Sequence, residues 1–228
     1  MTEILTIGHR GAKGYQPENT LISFQKAIVL NAHGVEFDVH ICKSGELVVI
    51  HDFTVDRTTN GAGAVADLTL QELKKLRIEG QQEIPTLDAV LTLFDKKHLI
   101  NIELKGSHTA ELVCDCIDRN VKNNRFKYSN FIVSSFQREE LERVARYNSN
   151  IHIGVLTQAS VEQALEWASK FKAKAIHPHF SLLTAENVAL AHQKKYQVYT
   201  WTVNEISDIQ RVKKLGVDAI ITDFPDRI

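Results

Sequence analysis

The segment Val35-Glu36-Phe37-Asp38-Val39-His40 alternates carboxylates with apolar side chains. Successive side chains of a strand point to opposite faces, so a strand here sets Glu36 and Asp38 on one face, about 7 Å apart, and Phe37 and Val39 on the other. A second segment, Asn101-Ile102-Glu103-Leu104-Lys105, repeats the alternation and puts a third carboxylate on the face of Asn101 and Lys105. Burying even one unpaired carboxylate costs several kcal/mol, so three inward acids call for positive charge. Arg10 and Lys105 could provide it as a structural ion network. The other reading is one bound divalent metal ion, and oxygen donors without cysteine suit Mg²⁺ or Ca²⁺ better than zinc. Two histidines complete the set: His9 ends a short apolar run ahead of Arg10-Gly11, and His51 ends the run from Leu47. Histidines shuttle protons near neutral pH. No Ser, Cys or Thr in these segments is paired with a base, so the chemistry indicated is acid–base rather than covalent.

The residues around this set must form the elements that position it. Residues 5–9 read as a strand that empties into a glycine-bearing loop, which continues through Pro17-Glu18-Asn19-Thr20 into a helix over 21–31. With the acid-bearing strand this makes a βαβ unit. Only a few residues around Lys43-Ser44-Gly45-Glu46 precede the next apolar run, too few for a parallel crossover, so these two strands form an antiparallel hairpin. A turn centred on Ser44-Gly45 places His51 directly opposite Asp38, and a three-residue loop slips that register by one. Residues 53–83 read as a compact insertion over the barrel mouth, with Thr69 capping a short helix. Further strands are expected at 99–104, 131–134, 153–156, 175–178, 197–203 and 219–222, with helices at 86–94, 109–123, 137–147, 161–171, 184–194 and 206–214. Eight parallel strands alternating with helices, the second hairpin strand being an extra, predict an α/β fold: a (β/α)₈ TIM barrel forming one domain over 1–228, with a small insertion after the second-strand hairpin. A doubly wound sheet is the alternative, but no Gly-rich phosphate fingerprint follows the first strand. Barrel active sites lie at the C-terminal strand ends, where His9, Arg10, Glu36, Asp38, His51, Glu103, Lys105 and Trp201 all fall.

At 228 residues, 43% hydrophobic and 24% charged, the chain can bury the core of such a barrel. A net charge of -1 leaves no electrostatic footprint for nucleic acid or an anionic membrane. The opening Met1-Thr2-Glu3-Ile4 has no basic segment followed by an apolar one, and no apolar run approaches the ~18 residues of a spanning helix. The expectation is a cytoplasmic protein without stable membrane insertion. Cys42, Cys114 and Cys116 read as reduced thiols rather than a disulfide framework or zinc site. The oligomeric state is left open, a homodimer included.

His9-Arg10-Gly11 with Pro17-Glu18-Asn19-Thr20, then Glu36-Phe37-Asp38-Val39, His51-Asp52, Arg57-Thr58-Thr59, Asn101-Ile102-Glu103-Leu104-Lys105, Trp201-Thr202-Val203-Asn204 and Thr222-Asp223 resemble the glycerophosphodiester phosphodiesterase family. The motifs run in order from His9 to the chain end. The resemblance implies a phospholipase-C-like phosphodiesterase barrel that hydrolyses a small-molecule glycerophosphodiester to sn-glycerol 3-phosphate and an alcohol. It places metal ligands on Glu36, Asp38 and Glu103 and the acid and base on His9 and His51. Arg10 then matches a phosphate-contacting arginine, Lys105 a lysine near substrate, and Glu18 a first-loop glutamate that orders the site; Trp201 is a candidate substrate wall. Attack by the substrate's own 2-hydroxyl, through a cyclic phosphate, is the expected route. A lyase or a lysophospholipase D on the same barrel is the alternative, although the short insertion offers no long apolar stretch for an acyl chain.

Overall fold

The computed structural model describes residues 3–228, so Met1 and Thr2 of the opening segment lie outside the described residues. The strands are β1 (Leu5–His9), β2 (Gly34–Ile41), β3 (Leu47–Val49), β4 (Leu99–Leu104), β5 (Phe131–Ser135), β6 (His152–Thr157), β7 (Ala175–Pro178), β8 (Gln197–Thr200) and β9 (Ala219–Thr222). Between them run α1 (Leu21–Val29), α2 (Leu70–Leu73), α3 (Leu87–Leu91), α4 (Ala110–Lys122), α5 (Arg138–Tyr147), α6 (Val161–Phe171), α7 (Ala185–Gln193) and α8 (Ile206–Leu215). The sheet order is β1-β9-β8-β7-β6-β5-β4-β2-β3, and a β1–β2 pairing closes it. Every pairing is parallel except β2 with β3, so eight strands form the (β/α)₈ barrel and β3 is the extra hairpin strand.

Alternation divides each strand between two layers. Val35, Phe37 and Val39 of β2 and Ile100, Ile102 and Leu104 of β4 join the large core under the helices. Inside the barrel the lower layers are apolar, built from Ile7, Ile132, Ala175, Tyr199, Ala219 and Ile221 with Leu5 and Leu99 packed on them. Polar side chains are sealed in this interior as well: the Ser134 hydroxyl donates to Asn101 at 2.8 Å, and His177 has no such bond. His177 of β7 is fully buried and stacked on Tyr199 with ring centroids 5.0 Å apart, and neither ring nitrogen has a partner. It fits because Gly154 lacks a Cβ, which would lie 2.5 Å from its Nε2.

β1 stops pairing with β2 at His9 opposite Glu36, while β2 runs on to Ile41. β3 takes the edge that β1 vacates, with Val39 opposite Val49 and Ile41 opposite Leu47. That register is one residue off the expectation of His51 opposite Asp38. The loop has three residues: the Gly45 N–H donates to the Cys42 carbonyl at 2.9 Å and the Cys42 N–H to Glu46 at 3.0 Å. Gly45 has φ of +96°, the left-handed conformation that such a bulged turn needs. His51 therefore lies beyond the strand, in a bend. The insertion that follows carries its own small core, in which Val55, Val65, Leu73 and Ile78 pack on Cys42, Val48 and Ile50 of the hairpin. The Thr69 hydroxyl caps α2, but that helix ends at Leu73.

Thr109, expected to open a helix, lends α4 no side-chain cap. Instead the buried Glu140 carboxylate of α5 accepts from the His108 and Ala110 N–H groups at 2.8 and 2.9 Å. Charge at a helix N-terminus is favourable there, and the contact ties the β4–α4 loop to α5. Cys42, Cys114 and Cys116 are all free. No helix among the described residues is long and apolar enough to cross a membrane.

Candidate active site

Parallel register assembles the acids. β2 and β4 pair with Asp38 beside Glu103 and Glu36 beside Asn101, while β1 sets His9 beside Glu36. All three carboxylates are buried, and each offers an oxygen within 4.8 Å of the others. Burial first, then the charge of Asp38, pushes the Glu103 carboxyl up to about 7 and holds Glu36 well above the ordinary carboxylate range. Two cations approach the cluster. Lys105 Nζ donates to Glu103 at 2.9 Å and lies 3.7 Å from Asp38, and Arg10 Nε is 3.4 Å from Asp38.

Arg10 is held in a left-handed backbone conformation, with φ of +49°. Its N–H donates to Glu36 at 3.1 Å, and its carbonyl accepts from the Asn19 N–H at 3.1 Å and the Ser23 hydroxyl at 2.9 Å. Asn19, also left-handed, donates its side-chain amide to Asp38 at 3.0 Å. A strained residue enforced by this many bonds is typical of a functional loop. Gly11 completes the bend: its φ is +85°, and a Cβ there would lie 2.4 Å from the Ser23 hydroxyl.

Each histidine is gripped at Nδ1 by an aspartate. His9 Nδ1 is 2.6 Å from Asp223, and His51 Nδ1 is 2.6 Å from Asp52. His9 Nε2 lies 3.9 Å from Glu36. Burial lowers both imidazoles from their ordinary value. Asp223 accepts in turn from the Asn204 amide at 2.9 Å, and Asp52 from Arg57 at 2.6 and 3.0 Å.

His9, Arg10, Glu36, His51, Glu103, Lys105 and Trp201 line one pocket of about 100 Å³, together with Asn101 and the aromatic Phe136. Asp38 lies beneath it, 1% exposed. Trp201 stands just past β8, where its ring packs edge-on against Phe136 and its indole N–H donates to the His177 carbonyl at 2.7 Å. Glu18 faces a neighbouring groove of about 660 Å³ between the first loop and the insertion, and reaches the pocket through its 2.8 Å bond from Arg10. Sequence reasoning assigned no role to Asp52, Arg57, Asn204 or Asp223, although all four sit in the quoted motifs. It missed Phe136 and Asn19 as well.

Fold and site together define an enzyme of the (β/α)₈-barrel class, its polar groups at the C-terminal strand ends. Residues 9–227 match the model of the Glycerophosphoryl diester phosphodiesterase family, and the chain belongs to that family. It is 38% identical over 234 residues to the glycerophosphodiester phosphodiesterase of Caldanaerobacter subterraneus subsp. tengcongensis, covering 98% of this chain and 96% of that one. The glycerophosphodiester phosphodiesterase of Bacillus altitudinis is 36% identical over 239 residues, covering 100% and 96%. Among solved structures, an Oleispira antarctica phosphodiesterase in complex with the product sn-glycerol-3-phosphate superposes with a TM-score of 0.89 at 27% identity, over 98% of this chain and 94% of that one. A Thermotoga maritima glycerophosphodiester phosphodiesterase gives 0.83 at 28%, over 99% and 97%.

Proposed function

We propose that this chain hydrolyses glycerophosphodiesters to sn-glycerol 3-phosphate and an alcohol, with Glu36, Asp38 and Glu103 holding one divalent metal ion, Mg²⁺ or Ca²⁺, and His9 and His51 moving protons. The observation that carries the reading is the convergence of two carboxylate-held histidines, two cations and the acid cluster on one pocket. The donor set fits the ion: three carboxylates, of which Glu36 and Glu103 are raised first by burial and then by the charge of Asp38, make a cradle for a hard cation. When bound, the ion supplies Lewis-acid stabilisation of the charge that builds on the phosphoryl oxygens.

Arg10 and Lys105 meet the phosphodiester anion, Glu18 keeps the Arg10 fork in place, and Trp201 walls the substrate. Asp223 and Asp52 are held below the ordinary carboxylate range, Asp223 against the effect of burial by its hydrogen bond with His9, Asp52 chiefly by Arg57. An ionised carboxylate only accepts, so each histidine carries its proton on Nδ1 and leaves Nε2 free as a base. One histidine takes the proton of the attacking hydroxyl on Nε2. The other, protonated, gives its Nε2 proton to the departing alcohol. The attacking group is the substrate's own 2-hydroxyl, because tethering confers a large effective molarity. Its oxygen bonds to phosphorus as the ester bond to the alcohol breaks, and water then opens the 1,2-cyclic phosphate with the histidine roles reversed.

The test is turnover of glycerophosphocholine, glycerophosphoethanolamine and glycerophosphoglycerol with Mg²⁺ or Ca²⁺, alongside an analogue with hydrogen in place of the 2-hydroxyl. Release of sn-glycerol 3-phosphate, binding of the analogue without cleavage, and turnover of synthetic cyclic phosphate are expected. Cleavage of the analogue at the natural rate overturns the cyclic route. Accumulation of cyclic phosphate as the end product makes the enzyme a lyase.

A further inference from the structure

We infer that Arg57, a residue of the insertion that does not line the catalytic pocket, is a positioning residue that locks His51 and Arg10 into one geometry; the inference rests on the role proposed for His51. A guanidinium presents five N–H donors in a rigid fork. Arg57 uses them on two carboxylates at once. Its Nε and one terminal nitrogen donate to Asp52 at 2.6 and 3.0 Å, and its two terminal nitrogens donate to Glu18 at 3.1 and 2.7 Å. Asp52 holds Nδ1 of His51, and Glu18 holds Arg10. The result is an unbroken chain from His51 through Asp52, Arg57 and Glu18 to Arg10, in which each link is a charge-assisted bond.

The chain spans two loops that share no strand ladder. Glu18 and Arg10 belong to the loop after β1, and Asp52 and Arg57 to the segment after β3. His51 itself lies outside the barrel's hydrogen-bonded strands; its carbonyl accepts from His40 of β2 at 3.1 Å, so the orientation of its ring depends on what holds the segment that follows to the first loop. The fork does so in two ways. It orients Asp52 toward Nδ1, and it keeps both carboxylates ionised, so that Asp52 remains an acceptor and the His51 tautomer stays fixed. Arg57 is half exposed, yet a bidentate contact to each of two partners is the geometry in which a surface ion pair has effect.

The experiment is a double-variant cycle on the metal-loaded enzyme, with Arg57→Ala, Arg57→Lys, His51→Ala and the combined Arg57→Ala/His51→Ala. Removing a residue that orients a catalytic group typically costs 10- to 100-fold, and Arg57→Ala should lower kcat by about that factor with a smaller change in KM. Arg57→Lys should recover little, because an ammonium cannot fork, while added guanidinium ion should restore part of the rate to Arg57→Ala. In the His51→Ala background the same change should cost markedly less, since only the hold on Arg10 through Glu18 is left to lose. The ¹⁵N spectrum of the imidazoles should show His51 losing its single tautomer in Arg57→Ala while His9 keeps its own. An Arg57→Ala loss that persists undiminished in the His51→Ala background, or an unchanged His51 spectrum, overturns the inference. A His51→Ala enzyme that turns over at the native rate fails in a different place: it overturns the role of His51 itself.

Discussion

The two histidines are gripped alike and anchored differently. His9 ends a barrel strand, and its partner Asp223 follows the last strand, next to β1 in the closed sheet. Asp223 is fixed by a neutral group: Asn204 donates to one carboxylate oxygen, and its own side-chain oxygen accepts from the Asp223 N–H and the Thr222 hydroxyl. His51 hangs on the bend after the hairpin. Its partner Asp52 is its chain neighbour, fixed by a cation that reaches it from the solvent side. One half of the site thus inherits the rigidity of the sheet, and the other is assembled by ionic contacts between loops. Loops fastened to a scaffold this way are the part of a barrel free to vary without disturbing the core.

If both halves serve one reaction, their loss should be equally severe despite the different anchoring. General acid and base groups contribute roughly 10²- to 10⁴-fold each, so His9→Ala and His51→Ala should both fall by that range in kcat and still bind metal and sn-glycerol 3-phosphate. Chelation should abolish turnover in the native enzyme. Steady-state kinetics with calorimetric titration of metal and product decides it. A loss below about tenfold for His51→Ala, outside the usual range for such a group, would confine the chemistry to the barrel half.

Replacing the aspartates by asparagine sharpens the contrast. At position 223 the donating Asn204 amide draws the new side-chain oxygen toward itself and turns an NH₂ on His9 Nδ1, forcing the wrong tautomer. Asn204 cannot flip to relieve this, because its oxygen accepts two bonds. At position 52 the amide oxygen can stay on His51 Nδ1 and on one terminal nitrogen of Arg57, so only the Nε contact is given up and the fork keeps its hold on Glu18. Asp223→Asn should therefore approach the loss of His9→Ala, roughly 10²- to 10⁴-fold in kcat, and Asp52→Asn should lose only about tenfold. Equal losses in kcat would mean that the insertion is as rigid as the barrel.

How much of this could be read in the sequence follows the same division. The carboxylates were legible because a strand's two-residue period is local: Glu36, Asp38 and Glu103 declare a shared face before any pairing is known. The barrel was legible because strands and helices alternate in a regular rhythm. The hairpin register was legible only as a choice between two loop lengths, and Gly45 in its bulge decided it. The anchors were not legible. Asp223 is 214 residues from His9, and Arg57 is 39 from Glu18, so which aspartate grips which histidine is a property of closure and loop packing, with no spacing to announce it. Glu140 at the start of α4 is a similar case, since a cap supplied by another helix leaves no local signal.

His177 offers the smallest and cleanest test, one of stability rather than rate, and it bears on the barrel half alone. It is sealed beneath the site with both ring nitrogens unpartnered, and burial pulls its pKa from 6.5 to about 3. The unfolded chain takes up a proton on this residue below pH 6.5 and the native protein does not, so its contribution is fully present above 6.5 and is lost as pH falls toward 3. A one-proton difference is worth about 1.4 kcal/mol per pH unit. His177→Leu keeps a similar side-chain volume and discards the two orphaned nitrogens, so at pH 7 it should change stability by no more than about 1.5 kcal/mol in either direction. Between pH 6 and pH 4 the variant should gain on the native protein by about 1.4 kcal/mol per unit, read as the difference between their urea unfolding free energies. Parallel curves would mean that the native barrel admits a proton to its floor. The rigidity credited to the His9 half would then have to come from the Asn204–Asp223 contact alone.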